Sequence, residues 1–167
     1  MTETEMRDEF FDYQRMWSKR YLQRVRSCVH TIAMIRSEIA EIDLNKDGLK
    51  AVRYDVDNVG GTPDDDAMAR RVERMDSLKA EFQEELDRNL QAQADAHRAL
   101  SNVRQPWRSL LTYRYLQGMT WADVTVALKE SGNSYAEEYV RKEMHDNALI
   151  ELFPFIPHEF DEFPEAI

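Results

Sequence analysis

The side chains best suited to chemistry lie near the C-terminus, on a stretch of predicted helix that begins after Ser134. Arg and Lys side chains can donate to guanine O6 and N7 in the major groove of duplex DNA, and Glu can accept from cytosine N4. Helical spacing sets these residues opposite an apolar series formed by Val140, Met144 and Ala148. The predicted base-reading face comprises Tyr135, Glu138, Arg141, Lys142 and His145.

The elements that would position this face are three short helices between Trp107 and Leu152. The first helix is predicted over 107–116, and Gly118 supplies its left-handed stop. Thr120 caps the second helix, with Asp123 at the reciprocal position of a weak capping box. That helix buries Trp121, Val124 and Leu128.

The third helix follows a second glycine stop at Gly132. Ser134 and Glu137 form a complete S-x-x-E capping box at its predicted start. Two helices, a glycine turn and a capped third helix are typical of the helix-turn-helix, whose last helix enters the major groove. Phosphate contacts that position the reading helix are expected from Arg108, Arg114 and Lys129, and from the helix N-termini at Thr120 and Ser134.

The same pattern has a plainer interpretation. Any three-helix bundle produces this apolar spacing, and exposed helices commonly carry Arg and Lys for solubility. Periodicity alone therefore leaves DNA binding and simple packing open.

No catalytic or metal-binding constellation is found. The four histidines, His30, His97, His145 and His158, have no metal-ligand spacing, and neither phosphate-binding glycine motif occurs. The single Cys28 on an apolar face is expected to serve packing in a reducing compartment. Residues 43–48 begin like a calcium loop, but Tyr54 occupies the position that needs a bidentate Glu. We expect neither enzyme activity nor a cofactor or metal.

Two long apolar stripes predict an all-α fold. Helices are expected over about 13–42 and 65–103, with a connector at 43–64 that contains a polar turn and a Gly-Gly-Thr-Pro break. The seam from Val25 to Ile42 alternates by three and four residues, as in a coiled coil. An antiparallel helical hairpin over 1–104 is therefore predicted, followed by the helix-turn-helix at 105–153. The unmatched face of Met16, Trp17, Tyr21 and Leu22 requires cover from that module or from a second copy, which would make a homodimer through the hairpin.

The formal net charge of −10 argues against non-specific nucleic-acid binding by the chain as a whole. Residues 13–37, however, contain no acid. A secondary basic stripe is expected there, formed by Arg15, Lys19, Arg20, Arg24 and Arg26. The tail at 154–167 alternates acids with aromatic residues, which is typical of contact segments and also of short arms packed on a core. The N-terminus has no apolar core and no run of eighteen apolar residues occurs, so a cytoplasmic protein without a membrane span is expected.

The run RYLQGMTWADV at 114–124 resembles the RY-x-x-G-x-S/T-W-x-D/E-I/V pattern of sigma-factor region-4 helix-turn-helix domains. It looks most like phage late-gene activators of the RinA and ArpU kind. His145 with Ala148 and Leu149 resembles the closing H-x-x-A-L of that pattern, although Val140 lies one residue further from His145 than the usual V-x-x-x-H. The run GLKAVRYD at 48–55 resembles the connector of phage and mobile-element proteins in which a helical hairpin precedes such a module.

The resemblance implies a transcription regulator of phage or mobile-element type that binds duplex DNA and acts beside RNA polymerase. The acidic Glu137 and Glu138 leave a second hypothesis open, in which the module is an adaptor that docks on RNA polymerase or a phage protein without direct recognition of DNA. A structural coiled-coil spacer would explain the hairpin but not the chain beyond Pro106.

Overall fold

The computed structural model describes residues 2–57 and 65–157, and helix is the only regular secondary structure in these two ranges. The all-α prediction is therefore confirmed for the described chain. No helix in those ranges is long and apolar enough to cross a membrane. The helices are α1 (Glu3–Asp57), α2 (Asp65–Leu100), α3 (Trp107–Leu111), α4 (Trp121–Glu130), α5 (Glu137–Tyr139) and α6 (His145–Leu152).

Helix α1 is much longer than predicted. It begins ten residues before Tyr13 and continues through the expected polar turn to Asp57, so the predicted connector at 43–64 is wrong over 43–57. The polar residues of that segment support a helix because they pair with α2: Lys79 Nζ donates to Asp43 Oδ1 at 2.6 Å, and Lys46 pairs with Asp76. Residues 58–64, which include the Gly-Gly-Thr-Pro break, lie outside the described chain.

The spatial contacts between residues divide the chain into two compact units. The first combines the described parts of Met1–Ser27 and Ala92–Ile167, and the second is Cys28–Gln91. The predicted boundary at residue 104 lies inside the first unit. Residues 92–157 of the first unit therefore cover much of the face on α1 that was predicted to need a partner: Tyr21 and Leu22 are buried, and Tyr13 contacts Phe153 edge-on at 5.9 Å between ring centroids, whereas Met16 is 41% exposed.

In the second unit, α1 and α2 run in opposite directions, since positions 43 and 46 of α1 meet positions 79 and 76 of α2. The predicted seam on α1 is confirmed at Ile32, Ile35 and Ile42, which are buried. The predicted apolar stripe of α2 is wrong at one position: the Leu78 side chain is 44% exposed, and the neighbouring Lys79 turns toward α1.

The first unit contains two π-helical turns, each of which adds one residue to a helical run. Thr112–Leu116 follows α3 directly, and the Gln117 N–H reaches the Thr112 carbonyl five residues back at 3.0 Å. Val140–Met144 joins α5 to α6 without a break, and the His145 N–H reaches the Val140 carbonyl. We call the continuous run Glu137–Leu152 the C-terminal helix.

Both predicted glycine stops are confirmed, with φ of 68° at Gly118 and 90° at Gly132. After α4 the Gly132 N–H bonds the Lys129 carbonyl at 3.0 Å, and the Asn133 N–H bonds the Leu128 carbonyl at 2.9 Å. These two bonds are the Schellman arrangement that closes a helix on a left-handed residue.

Helix α2 ends at Leu100, three residues earlier than predicted, and residues 101–106 lead into α3. At the other end of the module, Phe153–Phe155 adds a 3₁₀ turn after α6, so the helical course extends one turn further than the Pro-containing sequence predicts. Ile156 is buried, and residues 158–167 of the predicted tail lie outside the described chain.

Candidate nucleic-acid interface

The C-terminal helix has one buried and one exposed face, as its sequence predicts. Val140, Met144 and Ala148 are at most 2% exposed. Four members of the predicted reading face, Tyr135, Glu138, Arg141 and Lys142, lie in solvent. Lys142 Nζ contacts Glu138 Oε1 at 2.8 Å, so this cation is partly neutralised by a neighbour one turn away. The face therefore presents both Arg141 and Lys142 to solvent, and the exposed ion pair with Glu138 holds Lys142 only weakly.

His145 does not belong to the reading face, and its assignment as a base-contacting residue is wrong. Its side chain is only 7% exposed, its Nε2 lies 2.8 Å from the Tyr115 hydroxyl, and Trp121 packs edge-on against the ring at 4.8 Å. The π turn explains this position: one turn of π helix spans about five residues, so it carries His145 onto the buried face below Val140. Burial, aided by the positive charges of Lys19 and Arg114, lowers the pKa of His145 to about 4.

Arg108 and Arg114 are both half-buried and already donate to backbone carbonyls within the protein, and phosphate contact through their remaining N–H groups stays a prediction. Arg108 donates from Nε to the Val103 carbonyl at 2.9 Å and from Nη2 to the Ser101 carbonyl at 3.1 Å, which fixes the turn before α3. Arg114 donates from Nη1 to the Met119 carbonyl at 2.8 Å and lies over the Trp121 ring. These guanidinium groups therefore shape the module.

The two predicted helix caps have different outcomes. Thr120 is confirmed as the N-cap of α4: its Oγ1 accepts from the Asp123 N–H at 3.2 Å and donates to the Asp123 carboxylate at 2.7 Å. The predicted cap at Ser134 is wrong, because the C-terminal helix begins at Glu137 with Ala136 as its N-cap. Residues 133–136 form no helix after the Schellman turn, so Ser134 lies too far from the first helical N–H groups to cap them. Lys129 and Ser134 are exposed.

The secondary basic stripe lies on the part of α1 that belongs to the first unit. Lys19, Arg20, Arg24 and Arg26 are exposed, and Arg15 is half-buried beside Asp12. Arg15 Nη1 lies 3.7 Å from Asp146 Oδ2, and Asp146 is one turn beyond Lys142 on the C-terminal helix. The charge of Lys19 contributes to the lowered pKa of His145. The stripe therefore meets the C-terminal helix at Asp146, one turn beyond Lys142, and both belong to one unit.

Sequence reasoning missed an aromatic cleft next to the start of the C-terminal helix. Its volume is about 320 Å³. Tyr135 and Tyr139 contact each other at 5.5 Å on one side, and Arg104 lies over the Trp107 ring at 4.9 Å on the other. Arg104 is also bound to Glu151 at 3.1 Å. The i,i+4 spacing of the two tyrosines was a usable signal, but the approach of residues 104–107 depends on tertiary packing.

Acidic side chains share this surface. Glu137, Glu138 and Glu143 are exposed on the same helix as Arg141 and Lys142, so its exposed end has no excess of positive charge. Within residues 2–57 and 65–157, no group of three His, Cys, Asp or Glu side chains could hold a metal ion. Comparisons with protein-family models, curated proteins and solved structures found no match to this chain.

Proposed function

We propose that this protein is a cytoplasmic, DNA-binding transcription regulator of phage or mobile-element type, with no catalytic activity and no cofactor. In this proposal α3, α4 and the C-terminal helix form a sigma region-4-like helix-turn-helix, and α1 with α2 forms the helical hairpin that precedes it. The C-terminal helix enters the major groove of duplex DNA by its exposed N-terminal half. A homodimer joined through the hairpin would present two such helices to a symmetric site.

The observation that carries the proposal is the meeting of two exposed cationic groups in one unit. Arg141 and Lys142 project from the C-terminal helix, and the α1 stripe begins beside Asp146 of the same helix. A helix that reads bases needs flanking cations that bind phosphate and fix its register. Lys19, Arg20 and Arg26 are fully available for this positioning role, whereas Arg108 and Arg114 have some of their N–H donors bound to backbone carbonyls.

The pairing of Lys142 with Glu138 gives the proposal a specific electrostatic form. In the absence of DNA, Lys142 is held by the Glu138 carboxylate at 2.8 Å. On a cytosine-containing site, Glu138 would accept from N4 and release Lys142 to a neighbouring guanine or phosphate. Exchange of partners in this way favours cytosine over guanine or thymine at that position, because those two bases present only acceptors to the carboxylate in the major groove.

The test is selection of the purified full chain against a random duplex pool, followed by titration of the selected site across a salt series. Substitution of both Arg141 and Lys142 by Ala should weaken specific binding by about tenfold to several hundredfold, as expected when one or two base contacts are removed. The matched control replaces Arg88 and Arg98, two exposed arginines of α2, by Ala. Equal affinity of the two double variants at low salt would refute the reading-face assignment.

The α1 stripe has its own test. Substitution of Lys19 and Arg20 by Ala should lower affinity for all sequences alike. It should also reduce the slope of log K against log salt by about 0.9 for each phosphate that the variant no longer binds. A change in the selected motif, with the slope unchanged, would show that the stripe does not bind phosphate.

A second candidate function is favoured by the exposed Glu137, Glu138 and Glu143. An acidic helix tip repels phosphate, whereas it suits a basic surface on RNA polymerase or on a phage protein. If the adaptor hypothesis is correct, no sequence is enriched from the duplex pool. The double substitution Glu137→Lys with Glu138→Lys then abolishes capture of polymerase. If the DNA-binding hypothesis is correct, the same two substitutions increase the non-specific affinity for DNA.

A further inference from the structure

In the second unit, apolar side chains are fully buried on α1 but not on α2. Among its described residues, Ile32, Ile35 and Ile42 of α1 are buried, and no side chain of α2 between Asp66 and Gln91 is. Most of the apolar stripe of α2 is half-buried, namely Met68, Val72, Met75, Phe82, Leu86 and Leu90. In addition Leu44 is 72% exposed and Leu78 is 44% exposed. Two helices can cover one seam between them, and the remaining apolar surface requires a further layer.

Two open grooves mark where that layer would lie. One, of about 620 Å³, runs between α1 and α2 and is lined by Leu44, Gly48, Leu49, Arg71 and Met75 among others. The other, of about 600 Å³, lies along α2 and is lined by Arg70, Glu73, Arg74, Ser77, Leu78 and Glu81. Arg74 lines both grooves. They therefore adjoin on one side of the unit, with Leu44 and Leu78 in their walls.

The charges along α2 identify the occupant. Arg70, Arg71 and Arg74 precede Leu78, and Glu81, Glu84 and Glu85 follow it. Each arginine has a glutamate at the same distance from the midpoint between Ser77 and Leu78: Arg74 matches Glu81, Arg71 matches Glu84, and Arg70 matches Glu85. A helix with this arrangement is complementary to itself when reversed. Such complementarity is the signature of an isologous contact, in which residue i of one copy meets residue j of the other and j meets i.

We propose that a second copy of this chain covers this surface, with the two α2 helices antiparallel about a two-fold axis that passes near Ser77 and Leu78. Leu78 of one copy then contacts Leu78 of the other, and Leu44 and Met75 close the apolar centre of the interface. The three arginine–glutamate matches occur twice, once on each side of the axis. They lie within about 11 Å of the axis along the helix and flank the apolar centre on both sides.

The size of the surface agrees with a stable dimer. The 27 residues from Asp65 to Gln91 extend about 40 Å at 1.5 Å per residue. Two adjacent helices make a face about 20 Å wide, which gives roughly 800 Å² on each partner, as specific interfaces require. Exposed ion pairs contribute little affinity on their own. The apolar centre therefore supplies the affinity, and the charges set the orientation and register.

The first experiment measures the mass of the full chain by sedimentation equilibrium from about 1 to 100 µM, a range that detects micromolar association. The wild type is expected to dimerise. Arg74→Glu and Glu81→Arg should each raise the dissociation constant about tenfold or more, since each puts like charges together on both sides of the axis. The double variant, with the charges exchanged, should return to within about threefold of wild type. Arg36→Glu, the same charge change at an exposed position of α1 away from both grooves, is the control.

The second experiment tests the register by oxidative cross-linking in a Cys28→Ser background, where no other cysteine remains. Leu78→Cys should form a disulfide-linked dimer alone, because only a two-fold axis near residue 78 brings that position next to itself. Arg70→Cys and Glu85→Cys should cross-link when mixed and not when each is alone. Helical circular dichroism of every variant separates loss of association from loss of folding.

Three results would overturn the proposal. These are a monomeric wild type over the whole concentration range, a dimer that is indifferent to the Arg74 and Glu81 reversals, and a dimer that cross-links through position 70 alone. None of these measurements uses DNA. Failure of the dimer and failure of the DNA-binding proposal are therefore separate outcomes.

Discussion

Acidification should destabilise the first unit through a single buried imidazole. His145 is enclosed by Tyr115, Trp121 and the cations Lys19 and Arg114, and burial together with these cations lowers its pKa from 6.5 to about 4. In the unfolded chain the ring protonates at its ordinary pKa. As pH falls below 6.5 the unfolded state therefore takes up a proton that the folded state resists, and stability falls until pH reaches about 4.

The size of the effect follows from the shift. Each pKa unit corresponds to about 1.36 kcal/mol, so the difference between 6.5 and about 4 gives a loss of about 3 kcal/mol over this interval. The contribution is complete above pH 6.5. Its steepest slope, about 1 kcal/mol per pH unit, lies between the two pKa values. A loss of this size is a large part of the stability of a small unit.

Urea unfolding at a series of pH values, followed by tryptophan fluorescence, measures this loss. Trp17, Trp107 and Trp121 all belong to the first unit, so the signal reports that unit. His145→Gln is the matched variant, because the amide can still bond the Tyr115 hydroxyl but cannot titrate. The wild type should lose about 3 kcal/mol more than this variant between pH 6.5 and 4. Parallel pH profiles for the two proteins would refute the reasoning.

Three further predictions concern the same unit. Gly132→Ala should lower the unfolding free energy by about 1 kcal/mol, because φ is 90° there; the urea midpoint measures it, and an unchanged midpoint would contradict the Schellman assignment. Thr120→Ala should cost about 1 kcal/mol through loss of the cap, while Thr120→Ser should retain most of it, as thermal unfolding of the pair would establish. Burial raises the pKa of Tyr115 to about 12, so stability should fall from pH 10 to 12 by about 3 kcal/mol; Tyr115→Phe should remove that loss, and an unaltered alkaline profile in this variant would count against it.

Local signals in the sequence were sufficient for both glycine stops and for the cap of α4, but not for the start of the C-terminal helix, where the capping box predicted at Ser134 does not form. Gly118, Gly132 and Thr120 act through the backbone of their own turn, so their roles follow from residue type and spacing. The burial of Val140, Met144 and Ala148 also follows from periodicity, because the π turn lies between Val140 and Met144 and leaves both on the inner side.

Other errors arose where a distant partner decides the local structure. The segment with Asp43 and Lys46 was predicted to be a polar turn. Both side chains bond to α2, and a helical backbone through the segment places them where these bonds can form. Arg108 and Arg114 were predicted to be surface cations. Their guanidinium groups donate to backbone carbonyls that approach them only when the turns have folded. Neither pairing has a signature at short sequence separation. The burial of His145 did have a sequence signature. His145 lies one residue further from Val140 than in the usual pattern, and one residue is the length that a π turn adds.

The π turn in the C-terminal helix is also a point at which a change in chain length would alter the outer surface of the helix. Each residue of an α helix rotates the side-chain direction by about 100°, so the added residue turns Glu138 and Tyr139 by that angle relative to the core contacts of α6. Removal of one residue from Val140–Met144 would convert the run to α helix and rotate the exposed tip while Ala148, Leu149 and Leu152 remain buried. A single-codon deletion or insertion at this point would thus present a different outer surface while the core contacts of α6 are kept, and the buried Val140 would have to repack.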